Sequence, residues 1–449
     1  MESGNVTTQL AQYAIKGNLE TLQPDDLEMA KIAFLDWVSA AVSGKKEACV
    51  QKLLAMDQAT KIKGNCTVIA QSYHTSVLNA ALLNGTESHA LDFDDIHDYL
   101  SLHLCSPVFP AAVAVGEIMQ ISGMEFIKSV VVGMQIMVSL SAGIMPEHYN
   151  LGRWHATSTL GIFGAAAAAG RLLKLSVSQM CNAFGICANL ASGVQLNFGT
   201  MAKPMVVGMA ARNGVLAALL AKEGFTGRTD IFDTEYLLHI SLKKNLSPIQ
   251  KSILERMKGT FAIQELRFKR YPCGAPTHSG IINCRKILEK HPFSLDEVQK
   301  IVFEPYPRAI RLVGITHPRT GLEGKFSIFY TAAAQMVFGK VTMETFTDEM
   351  VKDSRIQTLL DKMEMVPNDE FTYSRGGRTT IYLKNGEKYS NTTYLLGHPL
   401  DLIEAKQEVL EKFHEILEPR MPVGREEQIL SKIQQMEKLS DIRELASRL

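Results

Sequence analysis

The chain has 449 residues and carries 47 Lys plus Arg against 47 Asp plus Glu, so it has no net charge. A nucleic-acid or membrane-surface partner would call for a basic excess, and neither is expected. The length exceeds one ordinary core and predicts two domains. Seven cysteines without a Cys-x-x-Cys pair argue against a zinc site or disulfide framework and for a reducing, cytoplasmic setting. No basic-then-apolar stretch follows Met1, so no secretion signal is expected.

Apolar residues recur at helical spacing over 27–42, 76–83, 108–121, 126–145, 157–173, 175–190 and 210–223, which predicts a large, mostly α first domain. Asp36, beside Trp37, reads as a paired or capped acid in a helix–helix contact. The apolar run 129–145 contains Gln135 and several serines, and reads as a buried helix rather than a membrane span. Gly164 to Gly170 is a run of small side chains that lets neighbouring helices approach closely. No Gly-Lys-Ser/Thr follows it, so it is not a phosphate loop.

Between the second and third of these helices lies the densest chemistry. His89, Asp92, Asp94, Asp95, His97, Asp98 and His103 fall within fifteen residues. A helix over 87–96 would put His89, Asp92, Asp95 and Ile96 on one face, and the loop after it could return His103 to the same place. The plain alternative is that these acids solvate a helix end. Further on, His155 stands at a helix start, where the dipole disfavours its cationic form and suits a neutral hydrogen-bonding group; a core histidine is the structural alternative. Lys203 lies in an apolar, glycine-containing loop, as either a surface residue or an anion clamp.

The texture changes after about residue 266. A β-branched strand is expected over 298–305, and a hairpin turns at Asn385-Gly386 in a type I′ turn. Helical stretches at 325–337, 343–347 and 356–363 separate the strands. These predict a smaller α+β domain over 267–397, inserted as a lid into an all-α domain formed by 1–266 and 398–449, to which the helix 402–417 returns. Lys269 and Arg270 offer two adjacent cations for carboxylate or phosphate groups, with a solvated pair as the default. No sequence pattern marks Cys273 as the nucleophile of a cysteine hydrolase.

Seven segments, in order, carry a resemblance over nearly the whole chain. They are Asn84-Gly85 with His89-Ala90-Leu91-Asp92-Phe93-Asp94-Asp95, Trp154-His155-Ala156-Thr157, Gly199-Thr200-Met201-Ala202-Lys203-Pro204, Gly224-Phe225-Thr226-Gly227, Tyr271-Pro272, Lys325-Phe326-Ser327 and Gly397-His398-Pro399. Together they resemble the MmgE/PrpD superfamily of 2-methylcitrate dehydratases, cis-aconitate decarboxylases and iminodisuccinate epimerases. The resemblance implies a homodimer of subunits with a large all-α domain and a smaller α+β lid, an active site between the domains, and no metal or organic cofactor. It places the catalytic residues on Asp92, His103, His155 and Tyr330, and substrate-binding cations on Lys203 and Lys269, with Arg270 beside them. Ile96 stands where many members have Thr, Leu104-Cys105-Ser106 where they have Pro-Ser-Gly or Pro-Gly, and Val206 where a histidine is frequent. These departures sit in the substrate shell.

The implied chemistry forms or protonates a carbanion next to a carboxylate of a small di- or tricarboxylate. It needs an acid and a base near neutrality and cations where charge develops. His103 and His155 would move protons, Asp92 would orient one of them or act as base, and Tyr330 would bring a hydrogen bond from the lid. Dehydration of a 2-methylcitrate-like hydroxy acid is the first expectation; decarboxylation of cis-aconitate and epimerisation of an iminodicarboxylate follow. Two readings come from other classes. One is a metal-dependent hydro-lyase with Asp92, Asp95, His97 and His103 as ligands; the other is a non-catalytic helical scaffold.

Overall fold

The computed structural model describes residues 4–17, 19–97, 100–371, 376–394 and 401–449; Asp98 and the Gly397-His398-Pro399 segment lie outside them. The architecture is mostly α, at 61% helix and 9% strand. Two compact units emerge. The first comprises Met1–Ala90, Asp94–Phe268 and Leu400–Leu449, and the second Leu91–Phe93 and Lys269–Pro399.

The first unit is a stack of helices whose closest crossings occur where side chains are missing. Helices Gly123–Ile144 and Ala156–Leu172 meet at Gly133 and Gly164, where a Cβ on either residue would stand within 2.8 Å of the other's carbonyl oxygen. Helices Val77–His89 and Ala202–Lys222 meet at Gly85 and Gly208, where a Cβ on Gly208 would lie 2.3 Å from the Leu82 carbonyl. His89 is one turn along from Gly85, so this crossing belongs to the site as much as to the core. Helix Pro24–Gly44 packs on Leu402–Leu417, and Phe34 stands 5.1–5.5 Å from the rings of Trp37, Phe109 and Phe126.

Asp36 is fully buried and is paired by Lys412, whose Nζ lies 2.7 Å from Oδ1. Gly123–Ile144 and Ala202–Lys222 are each long and apolar enough to cross a membrane; the apolar window of the first is 89% buried within the molecule, as a core helix would be. All seven cysteines are buried.

Two short ribbons complete this unit. Strand β1 (Cys66–Val68) pairs antiparallel with β2 (Tyr73–Thr75), and β3 (Ile96–His97) with β4 (Leu266–Arg267).

The second unit is built on a four-stranded sheet of β5 (Val298–Pro305), β6 (Met363–Met365), β7 (Gly377–Leu383) and β8 (Lys388–Thr393), in the order β6-β5-β7-β8. The β5–β6 pair is parallel; the other two are antiparallel. Ile301, Phe303 and Ile381 share a core with Ile281 of helix His278–Lys290 and with Phe329 and Tyr330 of helix Ile328–Phe338.

Three local expectations are corrected. Residues 356–363 are not one helix: Ser354–Leu360 is helical, and Met363 opens strand β6. The hairpin does turn at Asn385-Gly386, but only Gly386 takes a left-handed conformation (φ 91°), and Gly386 N donates to Leu383 O. That is a three-residue connection with glycine at the left-handed position, not a type I′ turn, which needs two positive φ angles. The third concerns Lys203, which is in the first turn of a helix rather than a loop. Pro204 is tolerated there because the first helical N–H groups have no partner within the helix.

Candidate active site

The helix that carries His89 does not continue to Ile96. It ends at His89, and Asp92 takes a left-handed φ of 54°, which turns the chain away before β3 begins at Ile96. The single helical face of His89, Asp92, Asp95 and Ile96 is therefore replaced by a compact turn. Asp tolerates this conformation better than most residues, though it remains strained.

The turn sends the acids to different tasks. Asp95 accepts from the backbone N–H of Leu104 at 2.8 Å and of Cys105 at 3.0 Å. It thereby caps the helix Cys105–Met119, which starts three residues before the expected 108. Burial and the neighbouring Asp94 charge push the Asp95 carboxyl up to about 7, against those same N–H groups. Because Asp95 holds Leu104 and Cys105, the loop is drawn back and His103 returns beside His89.

Asp94 is the carboxylate that meets the imidazoles. Its Oδ2 lies 2.8 Å from His89 Nδ1 and accepts from Ser106 Oγ at 2.6 Å, while its Oδ1 lies 3.2 Å from His103 Nδ1. Burial alone would raise the Asp94 carboxyl, but the charges of His103 and His89 outweigh it and hold it well below the usual carboxylate range. An ionised carboxylate only accepts hydrogen bonds, so the contact with His89 favours a hydrogen on its Nδ1. Within the first unit the orienting carboxylate is thus Asp94, two residues on from the Asp92 expected for that role. No sequence spacing separates the two acids; the backbone turn at Asp92 does.

The His103 ring stands edge-on to His89 at 4.6 Å between centroids, and His155 stacks on His89 at 5.8 Å. His155 is the N-cap of helix Ala156–Leu172, and its ring meets the edge of Phe198 at 5.1 Å. Lys203 Nζ sits 5.7 Å over the Phe198 ring. The first unit therefore brings the buried His103, His155 and Lys203 together with His89, Asp94 and the half-buried Phe198. His89 and Asp94 lay in the acid-rich stretch without a role; Phe198 had no signal at all.

Asp92 and Lys269 form a buried ion pair in the second unit, with Nζ 2.7 Å from Oδ2 and 2.8 Å from the Asp92 carbonyl. Arg270 is exposed. Ile96 is buried in β3, opposite Arg267. The Tyr330 hydroxyl donates to the Thr345 carbonyl inside the core of the second unit, so the hydrogen bond expected toward a substrate is already spent. Cys273 is buried, and burial pushes its thiol up to about 12, far from a nucleophilic thiolate.

The proposed metal-ligand set of Asp92, Asp95, His97 and His103 loses Asp95 and His97 to other partners. Asp95 faces the Leu104 and Cys105 amides, and His97 Nε2 lies 2.9 Å from Glu265 Oε2. A different set in the first unit, His89, Asp94 and His103, offers donor atoms within 4.8 Å of one another. Nitrogen and carboxylate donors suit a divalent transition metal.

Comparison with known proteins gives a consistent picture. A family model described as MmgE/PrpD N-terminal domain matches residues 8–245, and one described as MmgE/PrpD C-terminal domain matches 271–438. The chain is 25% identical to the cis-aconitate decarboxylase-like protein oryM of Aspergillus oryzae, over 98% of this chain and 96% of the relative. It is 26% identical to human cis-aconitate decarboxylase over 81% and 77% of the two chains. With the mitochondrial 2-methylcitrate dehydratase of Yarrowia lipolytica the figures are 24% identity over 90% and 82%.

Proposed function

The chain belongs to the MmgE/PrpD family of lyases, and from that premise we propose that it acts on a small tricarboxylate, moving a proton at carbon next to a carboxylate, with decarboxylation of a cis-aconitate-like substrate as its reaction. The observation that carries the proton chemistry is the Asp94 carboxylate set between two imidazoles, with a third ring stacked beside them. Relatives named as cis-aconitate decarboxylases align over almost the full length of both chains, which favours loss of carbon dioxide over loss of water.

In that reaction the bond to the departing carboxylate breaks, its electron pair passes into the adjacent unsaturated system, and an acid delivers a proton to carbon. His103 and His155 are the groups for that proton. Asp94 stands 3.2 Å from His103 Nδ1 and stabilises its imidazolium form. Lys203 supplies a positive charge where the remaining carboxylates sit, with Phe198 as an apolar wall beneath it. Lys269 is paired with Asp92 within the second unit.

Dehydration of a 2-methylcitrate-like hydroxy acid is the second reading, favoured by the Yarrowia relative, and it would use the same groups as base and acid. Incubating the protein with cis-aconitate, 2-methylcitrate, citrate and iminodisuccinate, followed by proton NMR, separates the two readings. An alkene product from cis-aconitate with release of carbon dioxide supports the proposal. Conversion of 2-methylcitrate alone, or inversion of iminodisuccinate alone, overturns it in favour of the other family reactions.

The same assay after chelator treatment tests the metal reading that His89, Asp94 and His103 allow. Full activity in the chelator is expected; loss that a divalent metal restores would move those residues from proton transfer to ligation.

A further inference from the structure

His148 is buried in the short helix Glu147–Asn150 and is not part of the cluster around Asp94. Both of its ring nitrogens are nevertheless engaged. Nδ1 lies 2.7 Å from the carbonyl oxygen of Ile240, which can only accept, so Nδ1 carries the hydrogen. Nε2 is then a lone-pair acceptor, and it lies 2.7 Å from Thr159 Oγ1, so the threonine hydroxyl donates to it. Burial pushes the His148 ring down to about 4, in keeping with this neutral, single-tautomer arrangement.

Thr159 is one turn into the helix that His155 caps, and its own N–H donates to the His155 carbonyl at 3.1 Å. On its other side the His148 ring stacks on the indole of Trp154 at 6.2 Å and 17°, and the His148 carbonyl accepts from Trp154 N–H. His148 therefore grips the chain immediately before His155 and one turn after it. Gln195 and Gly193 hold the same turn from another direction: the Gln195 amide donates to the Tyr149 and Trp154 carbonyls, and the Gly193 carbonyl accepts from His155 N–H. Arg153, two residues before His155, is kept at a left-handed φ of 58°, a conformation that relaxes unless its surroundings over-determine it.

We propose that His148 is a positioning residue for His155: by the Ile240–His148–Thr159 chain of hydrogen bonds and the stack on Trp154, it sets the orientation of the His155 imidazole without touching substrate. This rests on the reading of His155 as a proton carrier. The geometric part is independent of which substrate is turned over.

Two pairs of substitutions separate hydrogen bonding from bulk. Thr159→Val keeps shape and removes the donor, while Thr159→Ser keeps the donor. His148→Phe keeps a ring and loses both hydrogen bonds, while His148→Gln restores a donor and an acceptor. The first readout needs no turnover: the His155 ring resonances, identified by their loss in His155→Gln, should form one sharp set in the wild type. They are expected to stay single in Thr159→Ser and His148→Gln, and to split or broaden in Thr159→Val and His148→Phe.

The second readout is kinetic, with the substrate that the wild type converts. The two disruptive variants should lose about tenfold or more in kcat with KM within about threefold, and the two conservative variants should stay within about threefold in kcat. A single sharp set of His155 signals with unchanged kcat in folded Thr159→Val overturns the proposal, as does His148→Gln behaving like His148→Phe. An inactive wild type with the expected resonance pattern would count against the substrate reading and for the positioning role.

Discussion

Replacing Asp94 by Asn keeps its shape and removes the charge that the two Nδ1 atoms face. The variant is expected to lose about 10²–10⁴-fold in kcat, the range of a positioned acid–base group, with the pH–rate profile displaced. Asp92→Asn should instead keep the shape of that profile, because Asp92 pairs with Lys269. Kinetics of the two variants across pH 5–9 would check the assignment, and the reverse pattern would return the role to Asp92. Glu87 tests burial rather than catalysis. It is fully buried, and that burial raises its carboxyl well above the ordinary 4.5, outweighing the Gln71 hydrogen bond and the Lys45 charge. A raised folded-state value means that its contribution to stability is complete below the unfolded carboxyl value and is lost as pH rises through the folded one. Glu87→Gln should therefore match the wild type near pH 4 and exceed it increasingly as pH rises, in chemical denaturation at several pH values. A constant difference would contradict this. At this scale the acid-rich stretch was legible as chemistry, because four carboxylates and three imidazoles in so few residues have little structural use. Which acid turns inward was not legible, since it depends on one left-handed φ at Asp92.

Elements meet at positions where a side chain is missing or a charge is matched, and both can be tested. Gly208→Ala would place a Cβ 2.3 Å from the Leu82 carbonyl and from Thr86 Oγ1, so the helix bearing Lys203 must shift from the helix bearing His89. A loss of about 1–3 kcal/mol is expected from overpacking of this kind, seen as a lower unfolding midpoint, with KM rising as Lys203 moves. An unchanged midpoint would mean that the crossing is looser than it stands here. Lys412→Met breaks the buried pair with Asp36 and should cost about 3–5 kcal/mol, because it strands a buried carboxylate. The double variant Asp36→Leu/Lys412→Met should recover most of that loss; failure to recover it would show that the pair contributes more than mutual neutralisation. The helices themselves were legible from apolar spacing, and Asp36 was legible as a paired acid. Its partner was not, because Lys412 is 376 residues away and local periodicity carries no such information. The hairpin at Asn385-Gly386 shows the same limit on a smaller scale: the dipeptide marks the turn, while the strand register decides that only Gly386 is left-handed.

For the whole molecule, a mostly α chain with a sheet-containing second unit was legible in the change of texture after residue 266, where β-branched strands replace helical spacing. The long-range ties were not. His97 reaches Glu265 across 168 residues, and this link fastens the ribbon of β3 and β4 that leads into the His103 loop. The architecture thus serves the site by returning a loop, a helix start and a helix first turn to one buried cluster in the first unit. That cluster is the central claim, and solvent deuterium tests it most directly. With cis-aconitate in D₂O, the wild type should form product carrying one deuterium at the newly protonated carbon. His103→Gln and His155→Gln should stay folded and lower the rate of that incorporation by about 10²–10⁴-fold. Incorporation within tenfold of the wild type in both variants would contradict the account, because the proton would then be delivered by a group outside the cluster.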